Sequence, residues 1–118
     1  MNYSFGDIVV VPFPFVSASG EPRQKARPAC VVSSKGIKRR YDDVMLAAIT
    51  SKIPKKIMEL ELVIKTSPEN SLAVNSILRL DFLMTIPGSL ISRKIGELSK
   101  NQIKTAHDLI LKNFEIDS

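Results

Sequence analysis

The sequence has few of the residues that most often support covalent or metal-dependent chemistry. It contains one cysteine, Cys30, one histidine, His107, and no tryptophan. A single cysteine cannot form an intrachain disulfide, which favours a reducing compartment, and we expect the protein to be cytoplasmic. Because the sequence also lacks a close set of carboxylates, we expect no bound metal and no cofactor.

Long apolar runs are absent as well. The apolar stretch at residues 8–15 is interrupted by Pro12 and Pro14 and is far shorter than the about 20 residues that a membrane-spanning helix requires. No basic segment leads into a long apolar run near Met1, so we expect no signal peptide and no association with a membrane.

Positive charge predominates and is concentrated in one part of the chain. Lys and Arg number 17 against 12 Asp and Glu, which gives a formal net charge of +5. Between residues 22 and 56 only Asp42 and Asp43 oppose ten basic residues, which are Arg23, Lys25, Arg27, Lys35, Lys38, Arg39, Arg40, Lys52, Lys55 and Lys56. Such a field attracts polyanions. A solvated lysine-rich surface would have the same composition, so charge alone does not show that the protein binds a polyanion.

Length and hydrophobic pattern indicate one domain, residues 1–118, that is rich in strands. Segments of β-branched or alternating residues predict strands. They are residues 7–15 (ending at Pro12 or Pro14), 28–34, 43–49, 58–64 and 76–83, with 84–86 as a candidate extension. Residues 17–27 are polar and predict a long loop, while residues 89–95 fit either a helical turn or a short strand.

The end of the sequence predicts a helix. Ser99 and Gln102 have the spacing of a capping box. The helical apolar stripe that follows consists of Ile103, Ala106, Ile110 and Phe114. His107 lies beside this stripe without a nearby partner in sequence, so we interpret it as a packed or half-exposed helix residue and not as a catalyst. Because strands and helices do not alternate, we predict a mainly β fold, a small antiparallel barrel packed by one C-terminal α-helix.

Three polar clusters stand where strands are predicted to begin, end or contribute to the core. Arg27 directly precedes a proline, which fixes the backbone, and its guanidinium suits a phosphate. Thr50 and Ser51 follow an apolar strand, where their hydroxyls can donate to a phosphate oxygen or orient a ribose hydroxyl. Arg79 and Asp81 are two residues apart on a strand and therefore share a face.

Each cluster also has an ordinary structural interpretation. Arg27 taken alone is a surface arginine, and hydroxyls at strand ends commonly cap turns. An exposed pair such as Arg79 and Asp81 contributes less than about 1 kcal/mol. The alternation of this strand predicts that Ile77, Arg79 and Asp81 lie on one face and that Leu78, Leu80 and Phe82 lie on the other.

The order of these short motifs resembles the PemK/MazF family of toxin–antitoxin endoribonucleases, in particular the branch with Pro-Phe-Pro-Phe in the first strand. The motifs that carry the resemblance are Gly6-Asp7-Ile8, Arg27-Pro28-Ala29, Ala48-Ile49-Thr50-Ser51, Arg79-Leu80-Asp81 and Ile95-Gly96-Glu97-Leu98-Ser99. Together they span nearly the whole chain. Each is weak alone, and their common order makes the resemblance specific.

The resemblance implies a homodimeric, SH3-like barrel that cuts single-stranded RNA without a metal and is silenced by a cognate antitoxin. It implies cleavage by the RNA's own 2′-hydroxyl, which leaves a 2′,3′-cyclic phosphate and a 5′-hydroxyl. The catalytic residues carried over are Arg27, Thr50, Arg79 and Asp81. The RNA-binding residues are Arg23, Lys25, Ser51, Lys52, Phe82 and Thr85.

This chain departs from the family pattern at two positions, and two other functions remain open. Met84 stands before Thr85 where many relatives have an arginine, and Phe82 follows Asp81 where a polar residue is usual. Phe82 is interpreted either as a base-stacking face or as a core residue. The alternatives to RNA cleavage are a non-catalytic RNA- or DNA-binding domain and a toxin that targets DNA gyrase. An arginine neighbour should also lower the pKa of Asp81 and weaken it as a base.

Overall fold

The fold is a curled, six-stranded antiparallel sheet with one helix at its C-terminal end. The computed structural model describes residues 3–16 and 22–117, and their side chains at 3–12 and 25–117. The strands are β1 (Asp7–Val16), β2 (Pro22–Val31), β3 (Asp43–Thr50), β4 (Glu61–Ile64), β5 (Ser76–Pro87) and β6 (Arg93–Glu97). A 3-10 turn at Gly88–Leu90 separates β5 from β6, and helix α1 covers Lys100–Asn113. The strand order is β4-β5-β3-β2-β1-β6, so the prediction of a mainly β, barrel-like fold is confirmed.

Apolar side chains pack on both faces of the sheet, as the alternation of its strands requires. The first group, here called the helix-side cluster, packs beneath α1 and includes Ile8, Cys30, Ile49, Leu78, Leu80 and Ala106. The second group, here called the far-side cluster, lies on the opposite face and consists of Val9, Val11, Ala29, Val31, Val44, Leu46 and Ile91. Strands β1, β2 and β3 contribute to both clusters, so the centre of the sheet is buried on both faces.

Helix α1 begins and packs as its sequence predicts. The Ser99 side chain accepts a hydrogen bond from the Gln102 N–H at 3.1 Å, and the Gln102 side chain accepts one from the Ser99 N–H at 2.8 Å. Ala106 is fully buried. Phe114 is an exception to the predicted stripe, because it is the C-cap residue and is 54% exposed. Among the described residues no helix is long and apolar enough to cross a membrane.

The first hairpin differs from its prediction. Strand β1 continues through Pro12 and Pro14 to Val16, and residues 22–27, predicted as loop, form the start of β2. The pairing of β1 with β6 stops at Val10. Beyond that residue β1 is paired on one side only, and proline is tolerated in a strand where no partner needs its missing N–H.

Smaller differences occur at the other predicted elements. Strand β4 begins at Glu61 and not at residue 58, because residues 59–60 turn and the Met58 N–H donates to Glu61 Oε1 at 2.7 Å. Both alternatives for residues 89–95 occur in part, as the 3-10 turn and then β6. The extension at residues 84–86 belongs to β5.

The connection between β4 and β5 ties the two edges of the sheet together. Asn70 is buried, and its Oδ1 accepts hydrogen bonds from the N–H groups of Ser67 and Leu72 at 3.1 and 3.0 Å. The folded connection reaches β6, where the Glu97 N–H donates to the Glu69 carbonyl at 2.9 Å. A Cβ added at Gly96 would lie 2.6 Å from the Asn70 carbonyl, so only glycine permits this approach.

Candidate active site

An irregularity in β5 shapes the central part of the site. Ala47 pairs with Leu83 and the next residue, Ala48, pairs with Arg79. The two partners on β5 are therefore four residues apart, although those on β3 are adjacent. Three residues of β5, at positions 80–82, therefore have no register partner on β3 and form a bulge. Since three is an odd number, the alternation is inverted beyond the bulge, and Met84 packs against the far-side cluster.

The bulge corrects the predicted position of Phe82. Alternation had placed Phe82 with Leu78 and Leu80, which are indeed buried in the helix-side cluster. Phe82 is instead 38% exposed, and the Cζ atom of Arg79 lies 5.4 Å from its ring centroid. Of its two interpretations, the structure therefore excludes the core residue and leaves an aromatic face beside a guanidinium.

Hydrogen bonds from two directions hold the bulge at its first residue. The Leu80 N–H donates to the carbonyl of Leu60, just before β4, at 2.9 Å. The Leu80 carbonyl accepts a hydrogen bond from Asn113 Nδ2, at the end of α1, at 3.1 Å. The Leu80 side chain is fully buried. The residues on either side of Leu80, which are Arg79 and Asp81, are thus carried by a fixed backbone.

Arg79 and Asp81 form a two-pronged ion pair on one face, as predicted. Arg79 Nε donates to Asp81 Oδ1 at 3.2 Å, and Nη2 donates to Oδ2 at 3.0 Å. The hydrogen bond from Arg79 lowers the pKa of Asp81, with a smaller opposing effect of desolvation. The hydrogen bond to Asp81 raises the pKa of Arg79, and the charge of Glu61 adds to this. Asp81 is therefore a weakened base, and Arg79 is a fixed positive charge and not a proton donor.

A hollow of about 370 Å³ opens beside this pair, at the end of β3. It is lined by Thr50, Lys52, Ile53, Pro54, Glu61 and Arg79. Neighbouring strands align the polar residues, because Thr50 pairs with Ile77 on β5 and Glu61 pairs with Arg79. Thr50 Oγ1 accepts a hydrogen bond from the Lys52 N–H at 3.2 Å, as the turn-capping interpretation of Thr50 predicts.

Glu61 is the polar residue of this hollow that the sequence analysis missed. Its only signal was its place in an alternating segment, residues 58–64. Its position across from Arg79 depends on the pairing of β4 with β5, which no local pattern specifies.

Arg27 lines a second hollow. The pairing of β2 with β3 ends at Ala29, one residue after Pro28, which has no N–H to continue it. Where the strands separate, a hollow of about 210 Å³ forms, lined by Lys25, Arg27 and Ser51 and by apolar residues of the β4–β5 connection. The structure thus places Arg27 and Ser51 in one hollow and Thr50 and Arg79 in the other, so the adjacent residues Thr50 and Ser51 line one hollow each.

The remaining predicted RNA-binding residues are spread more widely. Lys52 lines the first hollow and Lys25 the second. Thr85 is exposed, pairs with Met45 and lines neither hollow. Arg23 lies on β2, and its side chain falls outside the described residues. The basic stretch of the sequence is also divided, because Lys35, Lys38, Arg39 and Arg40 lie in the β2–β3 connection, at the opposite end of those strands.

The single cysteine and histidine lie away from both hollows. Burial raises the pKa of the Cys30 thiol to about 12, which makes it a poor nucleophile. His107 is exposed on α1, and its ring centroid lies 4.0 Å from that of Phe5. Within the ranges that the structure describes, no group of three or more His, Cys, Asp and Glu residues could hold a metal ion.

Comparison with known proteins agrees with the fold and with the order of motifs. The family model described as the PemK-like, MazF-like toxin of type II toxin–antitoxin systems matches residues 4–114. No curated protein matches the sequence significantly.

Several solved structures have a similar fold. The Mycobacterium tuberculosis toxin MazF-mt6 superposes with a TM-score of 0.73 at 22% identity, over 95% of this chain and 99% of that one. An endoribonuclease from a mycobacterial species, in complex with its cognate antitoxin, superposes with a TM-score of 0.75 at 12% identity, over 98% of each chain. At these identities the likeness shows a shared fold.

Proposed function

Since this chain belongs to the PemK-like, MazF-like family of type II toxin–antitoxin toxins, we propose that it is an endoribonuclease that cleaves single-stranded mRNA. One observation carries the proposal. Two open hollows are lined by an arginine and a hydroxyl each, Arg27 with Ser51 in one and Arg79 with Thr50 in the other, and the two hydroxyls are adjacent in sequence. Guanidinium and hydroxyl donors of this kind suit the phosphodiester backbone of an RNA strand.

In the proposed reaction the 2′-hydroxyl of the RNA attacks the adjacent phosphorus. The products are a 2′,3′-cyclic phosphate and a 5′-hydroxyl, and no covalent enzyme intermediate forms. Arg27 and Arg79 neutralise the charge that gathers on the phosphate oxygens, and Thr50 and Ser51 position the substrate. The reaction is metal-independent in this proposal, because fixed guanidinium charges take the part that a metal ion plays elsewhere.

The surroundings of the two hollows provide further contacts for an RNA strand. Lys25 and Lys52 each line one hollow and contribute positive charge toward the phosphate backbone. Phe82 presents an exposed ring beside Arg79, which suits stacking with a base. We include Arg23 and Thr85 as contacts for more distant nucleotides.

The proposed protein partners are a cognate antitoxin and a second copy of this chain. A net charge of +5 favours an inhibitor with an acidic segment, which would occupy the same hollows as RNA. The structural relative named as an endoribonuclease in complex with its cognate antitoxin supports this partner. Dimerisation is proposed from membership of the family.

The proposal is tested with a pair of RNA oligonucleotides and two arginine variants. Wild-type protein should cut the all-ribose strand to a 2′,3′-cyclic phosphate and should bind, but not cut, a strand with deoxyribose at the cut site. Excess EDTA should leave the rate unchanged. Arg79→Ala should lower kcat at least about 100-fold, as expected for the loss of a charge-stabilising donor. Arg93→Ala, an exposed arginine on β6, is the matched control and should retain the rate.

Other outcomes would replace the proposal with one of the alternatives. Equal cutting of the deoxyribose-substituted strand would contradict attack by the 2′-hydroxyl, and loss of activity in EDTA would contradict the metal-free reaction. If no RNA is cut and toxicity survives Arg79→Ala, the protein is a non-catalytic binder. Gyrase-linked DNA breaks without RNA fragments would instead identify a gyrase-targeting toxin.

A further inference from the structure

We propose that Glu61 is the general base that removes the proton from the attacking 2′-hydroxyl, an assignment that rests on the proposed RNA cleavage. Glu61 lies on β4, directly across from Arg79 on β5. Its side chain lines the same hollow as Thr50 and Lys52. The family resemblance pointed to Asp81 for this work, and the geometry points to the carboxylate on the neighbouring strand.

The carboxylate of Asp81 is occupied by Arg79. Both of its oxygens accept hydrogen bonds from that guanidinium, at 3.2 and 3.0 Å. Taking up a proton would break this two-pronged contact and leave Arg79 without its partner. Consistent with this, the pKa of Asp81 is lowered. Asp81 is therefore suited to orienting Arg79 toward the phosphate, and it lines neither hollow.

Glu61 is held differently. Oε1 accepts a hydrogen bond from the Met58 N–H at 2.7 Å, which fixes the side chain to the turn before β4. Its second oxygen, Oε2, makes no hydrogen bond within the described part of the chain. The residue is half-buried at the wall of an open hollow, so a ribose can approach it. A fixed carboxylate with one available oxygen is the arrangement that proton abstraction needs.

The proposed step balances without a co-reactant. Glu61 Oε2 takes the proton of the 2′-hydroxyl while the oxygen forms a bond to phosphorus. The bond from phosphorus to the 5′-oxygen breaks, and that oxygen keeps the electron pair and takes a proton from solvent water. Glu61 then returns its proton to solvent. The positive charges in the hollow that Glu61 lines are Arg79 on β5 and Lys52 after β3, and Arg27 on β2 adds the third positive charge of the proposed reaction.

The decisive experiment compares two variants, Glu61→Gln and Glu59→Gln. Glu61→Gln keeps an oxygen for the Met58 N–H but cannot accept the proton, and it should lower kcat by about 100-fold or more, as is typical for loss of a general base. Its Kd for the deoxyribose-substituted RNA should change less than about threefold. Glu59→Gln is the matched control, because Glu59 is exposed, pairs with Lys112 and lines neither hollow, and it should cleave like the wild type.

The effect of Asp81→Asn on kcat separates Glu61 from Asp81. Asp81→Asn should lower kcat less than Glu61→Gln does, because Asp81 orients Arg79 while Glu61 takes the proton. The inference is overturned if Glu61→Gln retains kcat within about threefold of the wild type. It is also overturned if Glu61→Gln weakens the Kd for uncleavable RNA by the same factor as it lowers kcat, or if Asp81→Asn lowers kcat more than Glu61→Gln does. Failure of the wild type to cut RNA at all would refute the proposed function itself.

Discussion

Replacing Asn113 with alanine should show how strongly α1 holds the bulge in β5. The side chain donates through Nδ2 to the Leu80 carbonyl at 3.1 Å, and Leu80 is fully buried. Removing this donor leaves a carbonyl in the protein interior without that partner, which costs about 1–3 kcal/mol. Alanine has the higher helix propensity, which returns about 0.5 kcal/mol. We therefore expect Asn113→Ala to lower the free energy of unfolding by about 0.5–2.5 kcal/mol.

The assay is equilibrium urea unfolding, with Asn101→Ala as the matched control. Asn101 lies on the same helix, is exposed, and its side chain makes no hydrogen bond to any described residue. Its replacement changes the same atoms without removing a tertiary contact, so it should be neutral or slightly stabilising. If the two variants unfold with free energies within about 0.5 kcal/mol of each other, the Asn113–Leu80 hydrogen bond does not stabilise the bulge and the reasoning is wrong.

Two further predictions concern the closure of the sheet and the ion pair of the site. Gly96→Ala should lower the free energy of unfolding by more than about 2 kcal/mol, because its Cβ would lie 2.6 Å from the Asn70 carbonyl, whereas Gly36→Ala, with no atom within 4 Å, should be near neutral in the same assay. Asp81→Asn should remove a small pH-dependent contribution to stability. Since Arg79 lowers the pKa of Asp81 in the folded state, that contribution is present above the ordinary carboxyl value and is lost as pH falls through the folded value. With side chains 38% and 40% exposed it should stay below about 1 kcal/mol. Identical pH dependence of unfolding in wild type and Asp81→Asn would contradict it.

Features encoded within a few residues were predictable from the sequence. The capping box of Ser99 and Gln102 needs only four consecutive residues, and both of its hydrogen bonds are present. The shared face of Arg79 and Asp81 follows from their spacing on one strand, and the side-chain contacts confirm it. In both cases the information lies within one turn of helix or one repeat of a strand.

Features that depend on which strands pair were not predictable. The prolines of β1 indicated that the strand ends at Pro12 or Pro14. The pairing of β1 with β6 stops at Val10, however, so neither proline lies opposite a residue of β6. Phe82 was placed on the wrong face because a bulge against β3 cannot be seen in β5 alone. Arg27 lies in a hollow separate from that of Arg79, in the part of β2 before Ala29 that does not pair with β3. Glu61 became a candidate site residue only because Arg79 lies across from it on β5.

The odd number of residues in the bulge also has a consequence for how this segment can change in evolution. Substitution of Phe82, the exposed hydrophobic residue of the bulge, changes a side chain but leaves the alternation of β5 intact, so this position is open to variation in specificity. Loss or gain of one residue would turn Met84 and Ile86 away from the far-side cluster and expose apolar surface. We therefore expect length changes here to occur in pairs, with substitution of Phe82 tolerated more readily than any single insertion or deletion.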